Sequence, residues 1–436
     1  MSIALTSLVA LLSYGLLHQR GIRLDSDGWA AWQGAVSLFA GKGYVYFSGH
    51  PIVAWPPLYS VYLCLWTFVL GATGWSLLVA NAVLVALQGC LWMWLGLAIA
   101  RDSGQKPVGR HLYLLAIYVG VFVALNGQQV FAHNLVYALL PIFVYATWRF
   151  LSATAGAAKA WTLALAIASG TALLLAHNAS VAFVGSAAIL MAARRPASWR
   201  SVGEAILALG APLAGWFAVR LVLGQTRSHH IGLRAGQRNA FDYAVQLLDG
   251  LGQLFVPPRL GAPFVAILLF MTIIFWLVRS KASSGLRFGA IFALLSTAIV
   301  FVLFNVTWLA TPLTSARQTM FVVLILAPLV YLTVSASKPR VAAVALTAVL
   351  AVQLYWIALY ALGRAQVPTG YWVPLNEALR QAGSSHKFGP AEFPNDSVVP
   401  ADAYITLAYP VGPPIVTSKG LLIAPMSYEE PVDRRR

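Results

Sequence analysis

Charge is what this sequence has least of. Asp, Glu, Lys and Arg make up 10% of its 436 residues, where a soluble domain carries about 25%. Hydrophobic residues make up 59%, and the mean hydropathy is +0.75. A water-soluble fold of this size has nowhere to hide so much apolar surface, so lipid is the solvent for most of the chain. Cysteine is nearly missing too. Cys64 and Cys90 both sit in apolar runs, which argues against a disulfide framework. His-x-x-x-His and His-Glu-x-x-His spacings do not occur among the 8 histidines, so no zinc motif is legible. No internal repeat stands out, which argues against a transporter built from sequence-similar halves. The 29 basic residues outnumber the 13 acidic ones, for a net charge of +16. No basic stripe with interleaved aromatics lies in a soluble segment, so the surplus points to cytoplasmic loops and no nucleic-acid partner is expected.

What the sequence has is long apolar runs. A spanning helix needs about twenty apolar residues. Runs near that length fall at 3–18, 75–100, 111–126, 134–151, 161–176, 179–193, 202–222, 262–278, 288–309, 318–335 and 341–361. They predict an all-α polytopic membrane protein with about 11 transmembrane helices. The first run lacks a preceding Lys or Arg, and His18-Gln19-Arg20 follows it, so it reads as a first span and not as a signal peptide. A further stretch, Pro57 to Leu70, is short and aromatic-rich. It reads as a helix at the membrane interface.

Orientation follows from Lys and Arg in the short loops. If 101–110 is cytoplasmic, so are 149–160, 194–201, 279–287 and 338–340. These hold thirteen basic residues, among them Arg149, Lys159 and Arg200, against the single acid Asp102. The short loops of the opposite side hold only Arg317, although Arg20 and Arg23 point weakly the other way. Three larger segments then face outward: the loop 19–74, the loop 223–261 and a small C-terminal segment, 363–436. The transmembrane module is thus 1–362. In the tail, Tyr371 to Ala382 reads as a short amphipathic helix and Ala403 to Leu407 as a strand. The second loop holds Arg227, Arg234, Arg238 and Arg259 and an amphipathic stretch from Phe241 to Phe255.

Asp25 and Asp27 are the first chemical candidates. Carboxylates are expensive near hydrocarbon, so a pair at a membrane boundary is functional or well solvated. The pair suits a general base or a divalent-cation site. Equally, either residue can cap a helix from Trp29 to Phe39 that ends before Gly41. The two roles are compatible.

The block that follows widens the picture. It reads Asp25-Ser26-Asp27-Gly28-Trp29, then an amphipathic stretch to Phe39, then Gly41-Lys42-Gly43-Tyr44, then Trp55-Pro56-Pro57-Leu58-Tyr59. This resembles the first outer loop of the GT-C superfamily of polyprenyl-phosphate-sugar glycosyltransferases. The likeness is greatest to the bacterial branch of protein O-mannosyltransferases and aminoarabinose transferases. In that branch a first span leads to an acidic residue, an amphipathic helix, a Gly-x-Gly-Tyr turn and a Pro-Pro-Leu-Tyr stretch. The resemblance implies an inverting glycosyltransferase in a bacterial inner membrane, with its active site on the periplasmic side. It would use a polyprenyl-phosphate-linked sugar donor and a lipid, glycan or protein acceptor. It places Asp25 at the family's acidic position. Mg or Mn at Asp25 and Asp27 is an expectation for a pyrophosphate donor, and a monophosphate donor does not require one.

Further candidates sit at the predicted outer helix ends. Arg317 precedes a span, where the family carries an Arg-Tyr pair thought to meet the lipid phosphate; Gln318 stands here for the Tyr. An arginine there either binds phosphate through paired hydrogen bonds or snorkels to anchor its helix. Arg259, in Val256-Pro257-Pro258-Arg259, is a second phosphate candidate. His133-Asn134 and His177-Asn178 are matching pairs, and His50 shares their face. Family members carry an acidic residue and an Arg near those pairs, so this sequence departs at both. Neutral His and Asn hydrogen-bond sugar hydroxyls, and they also serve as helix caps. The competing class is a transporter or flippase for a lipid-linked or anionic solute, which would place ionisable groups near mid-bilayer.

Overall fold

The computed structural model describes residues 1–18, 22–24, 26–45, 51–53, 55–72, 74–102, 109–127, 129–153, 156–193, 199–224, 240–253, 284–306 and 312–361, and three two-residue strands beyond them. Asp25, His50, Arg259, the run 262–278, the helix expected at 371–382 and the strand expected at 403–407 lie outside the described residues.

The chain is a multi-pass helical membrane protein. In order, the helices are α1 (Ser2–Leu17), α2 (Ser26–Phe39), α3 (Leu58–Leu70), α4 (Gly74–Asp102), α5 (Gly109–Asn126), α6 (His133–Ser152), α7 (Ala157–Ala176), α8 (Val181–Ala192), α9 (Trp199–Val222), α10 (Ala240–Gln253), α11 (Ser284–Val306), α12 (Pro312–Ser337) and α13 (Pro339–Ala361). Among the described residues, seven helices are long and apolar enough to cross a bilayer: α4, α5, α6, α7, α9, α11 and α13. Shorter apolar segments in α1, α8 and α12 accompany them. α3 has 13 residues, so at about 1.5 Å per residue it is too short to span.

Small residues let these helices approach closely, as lipid-embedded packing requires. α1 lies against α4 and α5. A Cβ on Gly89 would stand 3.1 Å from Thr6, and one on Gly120 would stand 2.8 Å from the Thr6 carbonyl. Gly96 on α4 leaves room for Pro328 of α12, 3.0 Å from where a Cβ would be. α6 packs between α4 and α7 and is the most enclosed span, with 67% of its apolar window buried. Pro141 lies inside it. A proline has no N–H, so the carbonyl four residues earlier loses its helical donor. That carbonyl belongs to Tyr137, and the Trp92 indole N–H donates to it at 2.9 Å.

Two helix starts differ from expectation. α2 begins at Ser26 and not at Trp29, which puts Asp27 in the first helical turn instead of at the cap. A carboxylate is favourable there because the first turn's N–H groups lack helical acceptors. α12 begins at Pro312 and not at residue 318, so Arg317 belongs to the helix's second turn. Proline suits a first helical position, where its missing N–H has no partner to lose.

The end of α2 is set by glycine. Gly41 and Gly43 have φ of 71° and 84°, in the left-handed region that a side chain disfavours. The Lys42 N–H reaches back to the Ser37 carbonyl at 2.9 Å, closing the helix as a Schellman turn does. Tyr44 then folds over α2, and its hydroxyl donates to the Trp55 carbonyl at 3.1 Å. The Gly-x-Gly-Tyr turn thereby fixes the Trp-Pro-Pro segment.

A small sheet ties the connections at this end. β1 (Ile22–Leu24) pairs in parallel with β2 (Gln129–Val130), with Leu24 opposite Val130. It pairs antiparallel with β3 (Val398–Val399). β4 (Ile415–Val416) and β5 (Leu422–Ile423) form a separate pair. Strands of two or three residues carry too little pattern to be seen in the sequence.

Candidate functional site

α6 starts at His133, and α7 gives way at His177 to a single 3-10 turn, Asn178–Ser180. The two His-Asn pairs therefore sit at neighbouring helix ends. Their imidazole centroids are 4.2 Å apart, with the ring planes inclined at 43°. Trp55, from the first loop, comes to 6.3 Å from His177. Phe131 lies 5.2 Å from His133 on the other side.

A narrow cleft lies among these rings, with room for about one water molecule. Ala31 of α2, Trp55 and Pro56, Tyr59 of α3, Ala132 with His133, and Ala176 with His177 line it. The alanines make room beside the rings. None of these lining residues is Asp, Glu, Lys or Arg. An indole face next to imidazole groups offers a stacking surface and hydrogen-bonding atoms to the hydroxyl-bearing edge of a ligand at the cleft mouth.

The partners of the pairs separate their roles. The Ala179 N–H donates to His177 Nδ1 at 3.1 Å. That nitrogen is therefore an acceptor, and the neutral ring carries its proton on Nε2. His177 is at once a cap and a cleft wall. Asn178 Oδ1 accepts from the Trp216 indole at 3.2 Å. Asn134 is buried, and its amide nitrogen donates to Asn81 Oδ1 and to the Gly127 carbonyl, both at 3.1 Å. It faces the protein interior and does not line the cleft, so of this pair only His133 meets the open space.

The acidic segment and the start of α12 reach the same end of the bundle by backbone placement. β1 ends at Leu24, opposite Val130 and three residues before His133. Asp27 lies one helical turn before Ala31 in the chain of α2. Tyr137, one turn along α6 from His133, belongs to the same buried hydrophobic cluster as Met320 and Phe321. Those residues follow Arg317 by one turn of α12.

Two residues here escaped the reading of the sequence. Arg220 is buried near the end of α9, in a stretch that reads as plain span. Its guanidinium donates to the Val53 carbonyl at 3.2 Å and sits 4.8 Å from the Trp216 ring centroid. It thus clamps the first loop to α9 just before Trp55. Asn81 is fully buried within the apolar run of α4, and no sequence signal marked it. Among the described residues no group of three or more His, Cys, Asp or Glu is placed to hold a metal ion. The cation expected at positions 25 and 27 concerns side chains outside that description.

No family model matches the chain, and no curated protein matches it. Solved structures do. The crystal structure of ArnT from Cupriavidus metallidurans bound to undecaprenyl phosphate aligns with a TM-score of 0.56 at 13% identity, over 88% of this chain and 71% of that one. The apo state of the same protein aligns with a TM-score of 0.55 at 15% identity, over 88% of this chain and 65% of that one.

The fold is GT-C-like. At this identity the likeness concerns architecture. It agrees with the helical, multi-span layout and the interfacial helices of the first loop.

Proposed function

We propose that this chain is a membrane glycosyltransferase that takes a sugar from a polyprenyl-phosphate donor and passes it to an acceptor on the extracytoplasmic side. The observation that carries this reading is the convergence at one end of the bundle. The strand leading to Asp25 and the first turn of α2 run toward the His133–His177 cleft, and α12 follows its start into the same buried cluster as α6. A GT-C-like fold supports it, since a protein of that architecture has been crystallised with undecaprenyl phosphate.

In this mechanism the donor's tail stays in lipid, which confines its headgroup beside the cleft and supplies proximity. Trp55, His133 and His177 hold the sugar ring. Asp25, assisted by Asp27, accepts the proton of the acceptor hydroxyl as that oxygen attacks the anomeric carbon. The bond from the anomeric carbon to phosphate oxygen breaks, and the polyprenyl phosphate leaves with the electron pair. Arg317 and Arg259 stabilise the charge that develops on it. A single displacement of this kind inverts the anomeric centre. The basic loops at the opposite end of the bundle support a cytoplasmic placement for that end, hence a periplasmic site in a bacterial inner membrane.

The test is transfer of a labelled sugar from a polyprenyl-phosphate donor in membranes containing wild type, Asp25→Asn or Arg317→Ala. Loss of transfer in both variants, with protein levels unchanged, supports the reading. Unchanged rates in both would remove the site assignment.

A further inference from the structure

We infer that Asn81 is a positioning residue that holds the two walls of the cleft at their working separation. The inference deepens the transferase reading and rests on it.

The argument starts from one oxygen. Asn81 Oδ1 accepts from the Tyr59 hydroxyl at 2.8 Å and from the Asn134 amide at 3.1 Å. Tyr59 is a cleft wall on α3, and Asn134 is the immediate neighbour of His133 on α6. One amide N–H of Asn81 is committed to its own helix, to the Leu77 carbonyl at 2.9 Å. Asn81 is therefore held at both the oxygen and the nitrogen of its amide, and it lines none of the cleft itself. Gln88, two turns along α4, donates to the Asn134 carbonyl at 3.0 Å. The Tyr62 hydroxyl of α3 donates to the Ala80 carbonyl at 2.7 Å. α4 is thus the common post from which α3 and α6 are hung.

An asparagine suits this post better than a larger or charged residue. It supplies one oxygen with two lone pairs to two donors, and one amide for its own helix. The site is buried, so removing this acceptor takes one hydrogen bond from each of two donors in a low-dielectric interior where water cannot replace it. The two groups are the Tyr59 hydroxyl and the amide beside the helix start bearing His133. A shift of about 1 Å in such groups is enough to change rates greatly.

The discriminating variants are Asn81→Leu and Asn81→Asp. Leucine fills the space and removes the oxygen. A buried aspartic acid is held neutral by its surroundings; its O–H replaces the amide toward Leu77 and its second oxygen keeps both acceptor bonds. The expected result is a kcat/KM for labelled-sugar transfer reduced about tenfold in Asn81→Leu and restored in Asn81→Asp. Adding Tyr59→Phe to Asn81→Leu should cost nothing more, because residues acting through one bond are not additive. Ser296→Ala, which removes the buried bond from Ser296 to Ser186 between α11 and α8 and touches no cleft residue, gauges general loosening and should lower the thermal midpoint without that kinetic loss. Wild-type kinetics in Asn81→Leu, or no rescue in Asn81→Asp, would overturn the inference. If wild type transfers no sugar at all, the transferase reading fails separately. Asn81 is then judged on a cryo-EM map of Asn81→Leu. Tyr59 displaced from beside His133 supports the inference, and Tyr59 unmoved overturns it.

Discussion

The two ends of the helical bundle treat polar groups in opposite ways. At one end charges find each other. Lys159 Nζ lies 2.6 Å from Glu204, Arg200 joins the same carboxylate at 3.2 Å, and Arg149 faces Asp102 at 3.8 Å. At the other end the groups that face open space are the imidazoles of His133 and His177, with the Trp55 indole nearby. Polar rings around a cleft are suited to a ligand; mutually neutralised charges are suited to anchoring helices in a bilayer. One end is therefore read as fastening and the other as chemistry.

The largest effect that would break this contrast lies at the chemical end. Asp25→Asn removes the proposed base, and losing a general base lowers rates by about 100-fold or more. Initial rates of labelled-sugar transfer measure it, and a rate within a factor of two of wild type would remove the base. Second comes the fastening end. Glu204→Gln leaves the buried Lys159 ammonium without its carboxylate, which should destabilise by about 3 kcal/mol. Thermal unfolding in detergent should show the loss, while transfer per folded molecule stays unchanged. A Glu204→Gln protein that folds normally but transfers poorly would blur the two ends. Third, His177→Ala removes one cleft wall, and transfer should fall about tenfold with a small change in unfolding temperature. The smallest effect is expected for Arg149→Ala. Its ion pair is long and its side chain is 47% exposed, so stability should move by less than about 0.5 kcal/mol.

Most of the scaffold could be read from the residues alone, because lipid imposes length and apolarity on every span. Ten of the eleven expected runs coincide with described helices, α1, α4 to α9 and α11 to α13; seven of these are long and apolar enough to cross a bilayer, and the eleventh run lies outside the described residues. Helix ends were harder. α2 starts three residues early because Ser26-Asp27-Gly28 looks like a loop, yet it forms a first turn. The matched His-Asn pairs were visible as pairs. Their shared cleft was not, because two rings 44 positions apart meet only through the packing of α6 on α7. Asn81 and Arg220 were hidden for a related reason. A single polar residue inside an apolar run gives no sign of partners on other helices, such as Asn134 or Val53.

The most direct measurement is an experimental map of the protein with undecaprenyl phosphate in a lipid disc. The account predicts the phosphate beside Arg317, with Asp25 facing it across the cleft of His133 and His177. A phosphate seated instead among Lys159, Arg200 and Arg149, or Asp25 and Arg317 at opposite ends of the bundle, would contradict it.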